Sequence, residues 1–144
     1  MESTMSAVAP SGADVAIGSG RLWTGRVITG LIALFMLFDA AMKFVAPKPV
    51  ADAFARTGWP LHLSITLGVI LLTSTILYLI PRTAVLGAIL LTGYLGGAIA
   101  SKVRIEDPLF SSVLFGVYFG LLVWGGLYLR DAQLRALIPW RRQP

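Results

Sequence analysis

The sequence predicts an all-α, polytopic membrane protein: a four-transmembrane-helix antiparallel bundle with a short interfacial helix between spans one and two. Three observations carry this expectation. Four apolar runs, residues 27–45, 61–80, 84–101 and 109–129, meet or approach the ~20 residues that a helix needs to cross a ~30 Å hydrocarbon core. Polar or proline-containing residues close each run. Of the 144 residues, 13% are charged and 56% hydrophobic, whereas soluble domains are ~25% charged. Mean hydropathy is +0.78.

Residues 1–25, rich in Ala, Ser and Gly and without apolar periodicity, are read as a disordered cytoplasmic leader. Residues 26–138 form the transmembrane domain and 139–144 a basic C-terminal tail. Span one reads as a retained helix and not as a cleaved signal. It is longer than a signal core, carries Asp39 inside it, and runs into Lys43-Phe44 with no small-residue cleavage pattern.

Between spans one and two, Pro49 suits the first turn of a helix and Gly58 the position just past its end. Val50, Phe54 and Ala55 share one face, and Asp52 and Arg56 stand at i,i+4 on another. A short helix on the membrane surface is expected, with an irregular amphipathic loop as the alternative. Trp59 sits where aromatic belts form. Pro81-Arg82-Thr83 leaves only a tight helical hairpin between spans two and three, with Arg82 in the headgroups. Arg104 anchors the far end of span three in the same way. After span four, Leu134, Leu137 and Ile138 would face lipid, with Arg135, Arg141 and Arg142 in the headgroups and Trp140 at the boundary.

Placing the N-terminus inside puts Arg21, Arg26, Arg82, Arg130, Arg135, Arg141 and Arg142 in the cytoplasm. They outnumber Lys48, Arg56, Lys102 and Arg104 on the other side, so both termini are expected to be cytoplasmic. The net charge of +5 is concentrated at span ends and in the tail, which points to a lipid bilayer surface and not to nucleic acid.

Two small-residue stripes recur at i,i+4: Gly93, Gly97 and Ser101 in span three, and Ser112, Gly116 and Gly120 in span four. Such stripes bring helix backbones together, within one chain or in a homo-oligomer.

Asp39 is the intramembrane ionisable group, about 9 Å below the end of span one. A carboxylate at that depth is paired, protonated or facing a wet cavity. Lys43 is one turn away. Antiparallel threading brings His62, Ser64, Ser101, Lys102, Asp107 and Ser111 to the same end, so a polar cluster centred on Asp39 is expected. It serves as a register-fixing ion pair, as a ligand or proton site, or as a subunit contact. Tyr94 and Tyr118 lie near the midpoints of spans three and four. They either floor a cavity below Asp39 or make contacts in a dry core.

There is no cysteine and one histidine, His62. Disulfides, thiolate nucleophiles, iron–sulfur clusters and two-histidine metal sites are thereby excluded, and no metal ligands are assigned. No nucleophile–base pair and no nucleotide motif is present, so no catalytic residue is assigned. Any redox role needs a quinone, or a cofactor held by another subunit.

Residues 31–43 (LIALFMLFDAAMK), 77–97 (LYLIPRTAVLGAILLTGYLGG), 103–115 (VRIEDPLFSSVLF) and 124–131 (WGGLYLRD) resemble the DoxX-like family of small four-helix membrane proteins. The resemblance covers roughly residues 25–138 and rests above all on the long hairpin run. It implies a four-span bundle in the bacterial cytoplasmic (inner) membrane. The wider DoxX group includes members associated with quinone-linked oxidation and membrane redox complexes. The expected role is therefore a non-catalytic subunit or accessory protein of a membrane redox or stress-response complex, with a quinone or lipid contact near Asp39. The alternative is a small carrier or binder of a lipophilic or cationic solute, with Asp39 as its counter-charge. Asp39, Lys43, Arg82, Arg104 and Asp107 match the family pattern. Leu71 stands where many relatives carry Glu, and Lys102 where many carry His. The two departures remove a proton-handling pair and favour binding or structure over proton transfer.

Overall fold

A computed structural model of the chain describes residues 18–138. All its regular elements are helical. The first helix, α1 (Ser19–Val45), begins at Ser19 and not at 27. Residues 19–25 of the expected leader are therefore helical, and residues 1–17 of that leader lie outside the described residues. The helix stops where Ala46 takes a left-handed conformation (φ 46°) and its N–H donates to the Met42 carbonyl at 2.8 Å. Pro47 follows and cannot continue it.

Helix α2 (Lys48–Thr57) has Pro49 in its first turn and ends on Gly58 at φ 73°, a conformation that glycine adopts without a Cβ penalty. Helix α3 (Leu63–Leu79) ends before Pro81. The Thr83 hydroxyl donates to the Leu77 carbonyl at 2.9 Å and ties the tight corner into α4 (Ala84–Arg104). The fourth apolar run opens with a π-helical turn, Leu109–Val113, and continues as α5 (Leu114–Arg130). Asp131 then caps α6 (Ala132–Leu137), its Oδ1 accepting from the N–H groups of Gln133 at 2.9 Å and Leu134 at 3.1 Å.

Helix α1 packs against α3 and α5, and α4 packs against the same two, so α1 and α4 stand on a diagonal. Leu71, Tyr78, Ala88, Leu91, Val123 and Leu127 fill the space between them and are buried. Leu134 of α6 also turns into this core, whereas Leu137 and Ile138 are exposed as expected.

The outward faces are as apolar as the interior. Leu31, Leu34 and Phe38 on α1, Ile65 on α3, Leu86 and Ile89 on α4, and Leu121 on α5 are all exposed. Helices that are apolar all round belong in an apolar solvent. Helices α1 and α4 and the segment 109–130 are long and apolar enough to cross a bilayer. At 17 residues α3 is shorter, about 26 Å along its axis. The chain is a membrane protein.

The small-residue stripes do not pack as their spacing suggests. A Cβ added at Gly93, Gly97 or Gly120 would meet no atom within 4 Å; Gly116 alone is tight, its Cβ position lying 2.7 Å from Ile99. Close backbone approach occurs elsewhere. A Cβ on Gly87 would lie 2.5 Å from the Cα of Tyr78, and one on Gly25 would lie 2.9 Å from the Cβ of Leu129.

Candidate functional site

One end of the structure gathers most of its polar side chains. Asp39 and Lys43 project from the same face of α1 one turn apart, and the Lys43 ammonium donates to Asp39 Oδ2 at 2.6 Å. The lysine side chain is 12% exposed and the aspartate 36%, so the carboxylate faces open space while its partner is enclosed. Lys43 Nζ also lies 5.8 Å from the centre of the Tyr94 ring across the diagonal, within range of a cation–π attraction. The Ser64 hydroxyl donates to the Lys43 carbonyl, fastening the start of α3 to the end of α1.

A second charge network is centred on Asp107, in the connection between α4 and the π-helical turn. Its Oδ1 accepts from the Arg56 guanidinium at 2.6 Å, and its Oδ2 accepts from Ser112 at 2.8 Å and Lys102 at 3.3 Å. Lys102 also donates to the Ser112 hydroxyl at 2.8 Å. The Asp107 side chain is only 7% exposed. The Ser112 hydrogen bond, helped by Lys102 and by the Arg56 charge, holds its carboxyl below the ordinary carboxylate range against the opposing effect of burial. Nearby, Trp59 Nε1 donates to Ser101 Oγ at 3.0 Å. Arg56 and Trp59 thus tie the C-terminal end of α2, and the chain just after it, to α4 and its following loop.

Under α2 lie two cavities. The first, about 290 Å³, sits between α1, α4 and α5; Asp39, Lys43, Tyr94, Lys102 and Ser112 line it together with Phe35, Phe115 and Phe119. Those three rings form a cluster of tilted contacts, with centroids 4.6 Å apart for Phe35–Phe119 and for Phe115–Phe119. The second, about 460 Å³, lies between α3, α4 and α2, lined by Phe54, Trp59, Leu67, Ile70, Gly93 and Gly97. Lys43, Ala53, Tyr94, Ala98 and Lys102 border both cavities and form the partition between them.

Of the residues singled out in the sequence, the structure brings together Asp39, Lys43, Tyr94 and Lys102. Three expectations need correction. Lys102 pairs with Asp107 and not with Asp39, so the expected single cluster is two networks that share a cavity wall. Arg56 reaches Asp107 instead of its i,i+4 neighbour Asp52, because a buried carboxylate flanked by hydrogen-bond donors outcompetes an exposed one on the same small helix. Tyr118 points outward, 47% exposed, and belongs to neither cavity. His62 and Ser111 are exposed, as are Arg82 and Arg104; Trp140 lies outside the described residues. Sequence reasoning missed the phenylalanine cluster, although Phe115 and Phe119 stand at i,i+4.

The opposite end is built differently. Tyr78 is fully buried; its hydroxyl donates to the Val123 carbonyl at 2.8 Å and its own carbonyl accepts from Arg130 at 2.7 Å. The Arg130 guanidinium lies 5.2 Å from the centre of the Tyr78 ring. Thr29 Oγ1 and Arg130 Nε are buried there without a hydrogen-bond partner.

Lys43 is paired with Asp39, whereas Lys102 shares Asp107 with Arg56, so the charges are largely but not fully balanced and the wall offers N–H and O–H donors. Apolar walls with a few donors suit a molecule that has an apolar body and acceptor oxygens. Among the described residues, no group of three or more His, Asp or Glu side chains could hold a metal ion.

No curated protein and no solved structure matches the chain. The sequence model of the DoxX-like family matches residues 27–126, from the first third of α1 to the last turns of α5, and takes in Asp39, Lys43, Tyr94, Lys102 and Asp107; the chain belongs to the DoxX-like family.

Proposed function

We propose that the protein crosses the bacterial cytoplasmic membrane four times, as an antiparallel bundle with both termini inside and α2 lying in the outer interface. In this reading it is a non-catalytic accessory subunit of a membrane redox or stress-response complex, and it holds a quinone beside Asp39. The observation that carries the reading is the cavity of about 290 Å³ lined by three phenylalanine rings and by the hydrogen-bond donors Lys43, Tyr94, Lys102 and Ser112. A quinone is a flat apolar ring bearing two carbonyl acceptors, and it matches that lining without adding charge.

The competing reading, a binder of a lipophilic or cationic solute, uses Asp39 as its counter-charge. Lys43 already occupies that carboxylate at 2.6 Å, so an incoming cation has to displace an ammonium of the same chain.

Binding is tested by titrating a short-tailed quinone into the protein in lipid nanodiscs and following intrinsic tyrosine and tryptophan fluorescence. Saturable quenching at one quinone per chain, weakened in a Phe119→Ala variant that remains folded, is expected. Saturable binding of a lipophilic cation that quinone fails to displace would overturn the reading.

A further inference from the structure

The second cavity has no part in holding a ring, yet it is the larger and it shares its partition with the first. Its floor is the face of α4 bearing Gly93 and Gly97, where added Cβ atoms would meet open space, and both glycines are exposed. Ile70, on the facing edge of α3, is 46% exposed. The cavity therefore opens sideways, between α3 and α4, onto the surface that faces lipid. Its roof is Phe54 and Thr57 of α2 together with Trp59 just beyond it, which is held by its bond to Ser101.

Size separates the two chambers by task. An apolar cavity of about 150 Å³ accepts benzene, so about 290 Å³ holds one substituted ring and not a ring with a long chain. The linings differ as well. Asp39 and the Phe35–Phe115–Phe119 cluster line only the first chamber, whereas Leu67, Ile70, Phe54 and the two glycines, with Thr57, Trp59 and Ser101, line only the second.

We infer that the two cavities are subsites of one bipartite ligand site: the quinone ring occupies the phenylalanine chamber, and its prenyl tail passes the Lys43–Tyr94–Lys102 partition and leaves for the bilayer over Gly93 and Gly97. This rests on the quinone reading above and assigns a role to a surface that the reading leaves unused. The glycines serve to leave room for a chain. A Cβ at either position meets no protein atom within 4 Å, so a larger side chain there starts from open space in the exit.

The test compares a quinone ring with no tail and the same ring carrying a decyl tail, each titrated into wild type, Gly97→Leu and Gly96→Leu. Gly96 is the control, because a Cβ there also meets nothing within 4 Å and the residue lines neither cavity. Losing the burial of about two methylenes costs about tenfold in affinity. Gly97→Leu is expected to weaken the tailed quinone by that factor and leave the tailless one unchanged, while Gly96→Leu changes neither. Equal loss for both ligands, or no loss for either, overturns the tail assignment and leaves the ring site standing. Failure of both ligands to bind wild type overturns the quinone reading itself.

Discussion

The two ends of the bundle solve opposite problems with the same residue types. At the Tyr78–Arg130 end, glycine removes space: Gly87 lets α4 touch the backbone of Tyr78, and Gly25 lets α1 touch α5 at Leu129. At the Asp39 end, Gly93 and Gly97 of α4 leave space, and the chain covers it with α2. Charge follows the same division. Arg130 is spent on the Tyr78 carbonyl and ring, inside the packing. Lys43 and Lys102 stand in a cavity wall, Lys43 paired with Asp39 and Lys102 sharing Asp107 with Arg56. One end is closed by tight packing; the other is a chamber between the same helices.

The contrast is broken most sharply by putting the same side chain into both ends. Gly87→Ala places a methyl group against the Tyr78 backbone, which cannot yield as a flexible side chain can. A loss of about 3 kcal/mol or more, or no recoverable folded protein, is expected in a thermal melt in detergent. Gly97→Ala meets nothing, and should be neutral or up to about 1 kcal/mol more stable through helix propensity alone. If the two variants melt alike, the ends are not different in the way described.

Asp39→Asn leaves Lys43 without its carboxylate in an enclosed position. Breaking a fully buried pair costs about 3–5 kcal/mol. With Asp39 a third exposed, about 1–2 kcal/mol is expected here. Asp39→Asn combined with Lys43→Met should recover most of it by removing the stranded charge. A double mutant as unstable as the single would mean that the pair has a further partner in the structure.

Smaller still is Tyr78→Phe, which deletes one buried hydrogen bond while the Val123 carbonyl keeps its place in the backbone ladder of α5. About 0.5–1.5 kcal/mol is expected from denaturant or thermal unfolding. A neutral outcome would show that the closed end relies on packing alone.

The last prediction concerns the cover and is read in protection, not global stability. The Arg56 side chain is exposed, but while Asp107 is ionised the pair holds α2 folded against the α4 loop, which should slow trypsin cleavage after Arg56. Because the folded carboxyl sits below its ordinary range, its contribution is complete above pH ~4, the unfolded value, and is lost as pH falls through the depressed folded value. The α2 clamp should therefore be insensitive to pH between about 5 and 8. Asp107→Asn should raise trypsin cleavage at Arg56 across that whole window. Cleavage that rises in wild type between pH 8 and 5 would place control of the cover on another group.

Much of this was legible in the sequence where the signal is local. Pro49 and Gly58 marked both ends of α2, Pro81 marked the corner, and the i,i+4 spacing of Asp39 and Lys43 gave the ion pair. Less legible is which way some helices face. In a soluble helix, alternation of polar and apolar residues announces the buried side; here lipid and protein interior are equally apolar, and that information is absent. Tyr118 turns outward, and of the two small-residue stripes only Gly116 is tight, while the other close approaches, at Gly25 and Gly87, lie outside both stripes. The π-helical turn at Leu109–Val113 compounds the difficulty, since it resets the angular phase of α5 with no sequence mark. Arg56 was assigned to Asp52 because its true partner, Asp107, is 51 residues away.

The most direct measurement is native mass spectrometry of the protein released with its surrounding lipid from bacterial membranes, with bound small molecules identified by fragmentation. One quinone per chain, retained by wild type and depleted in Gly97→Leu but not in Gly96→Leu, is the predicted result. Recovery of bulk phospholipid alone from wild type, at ratios that the Phe119→Ala variant shares, would contradict the account.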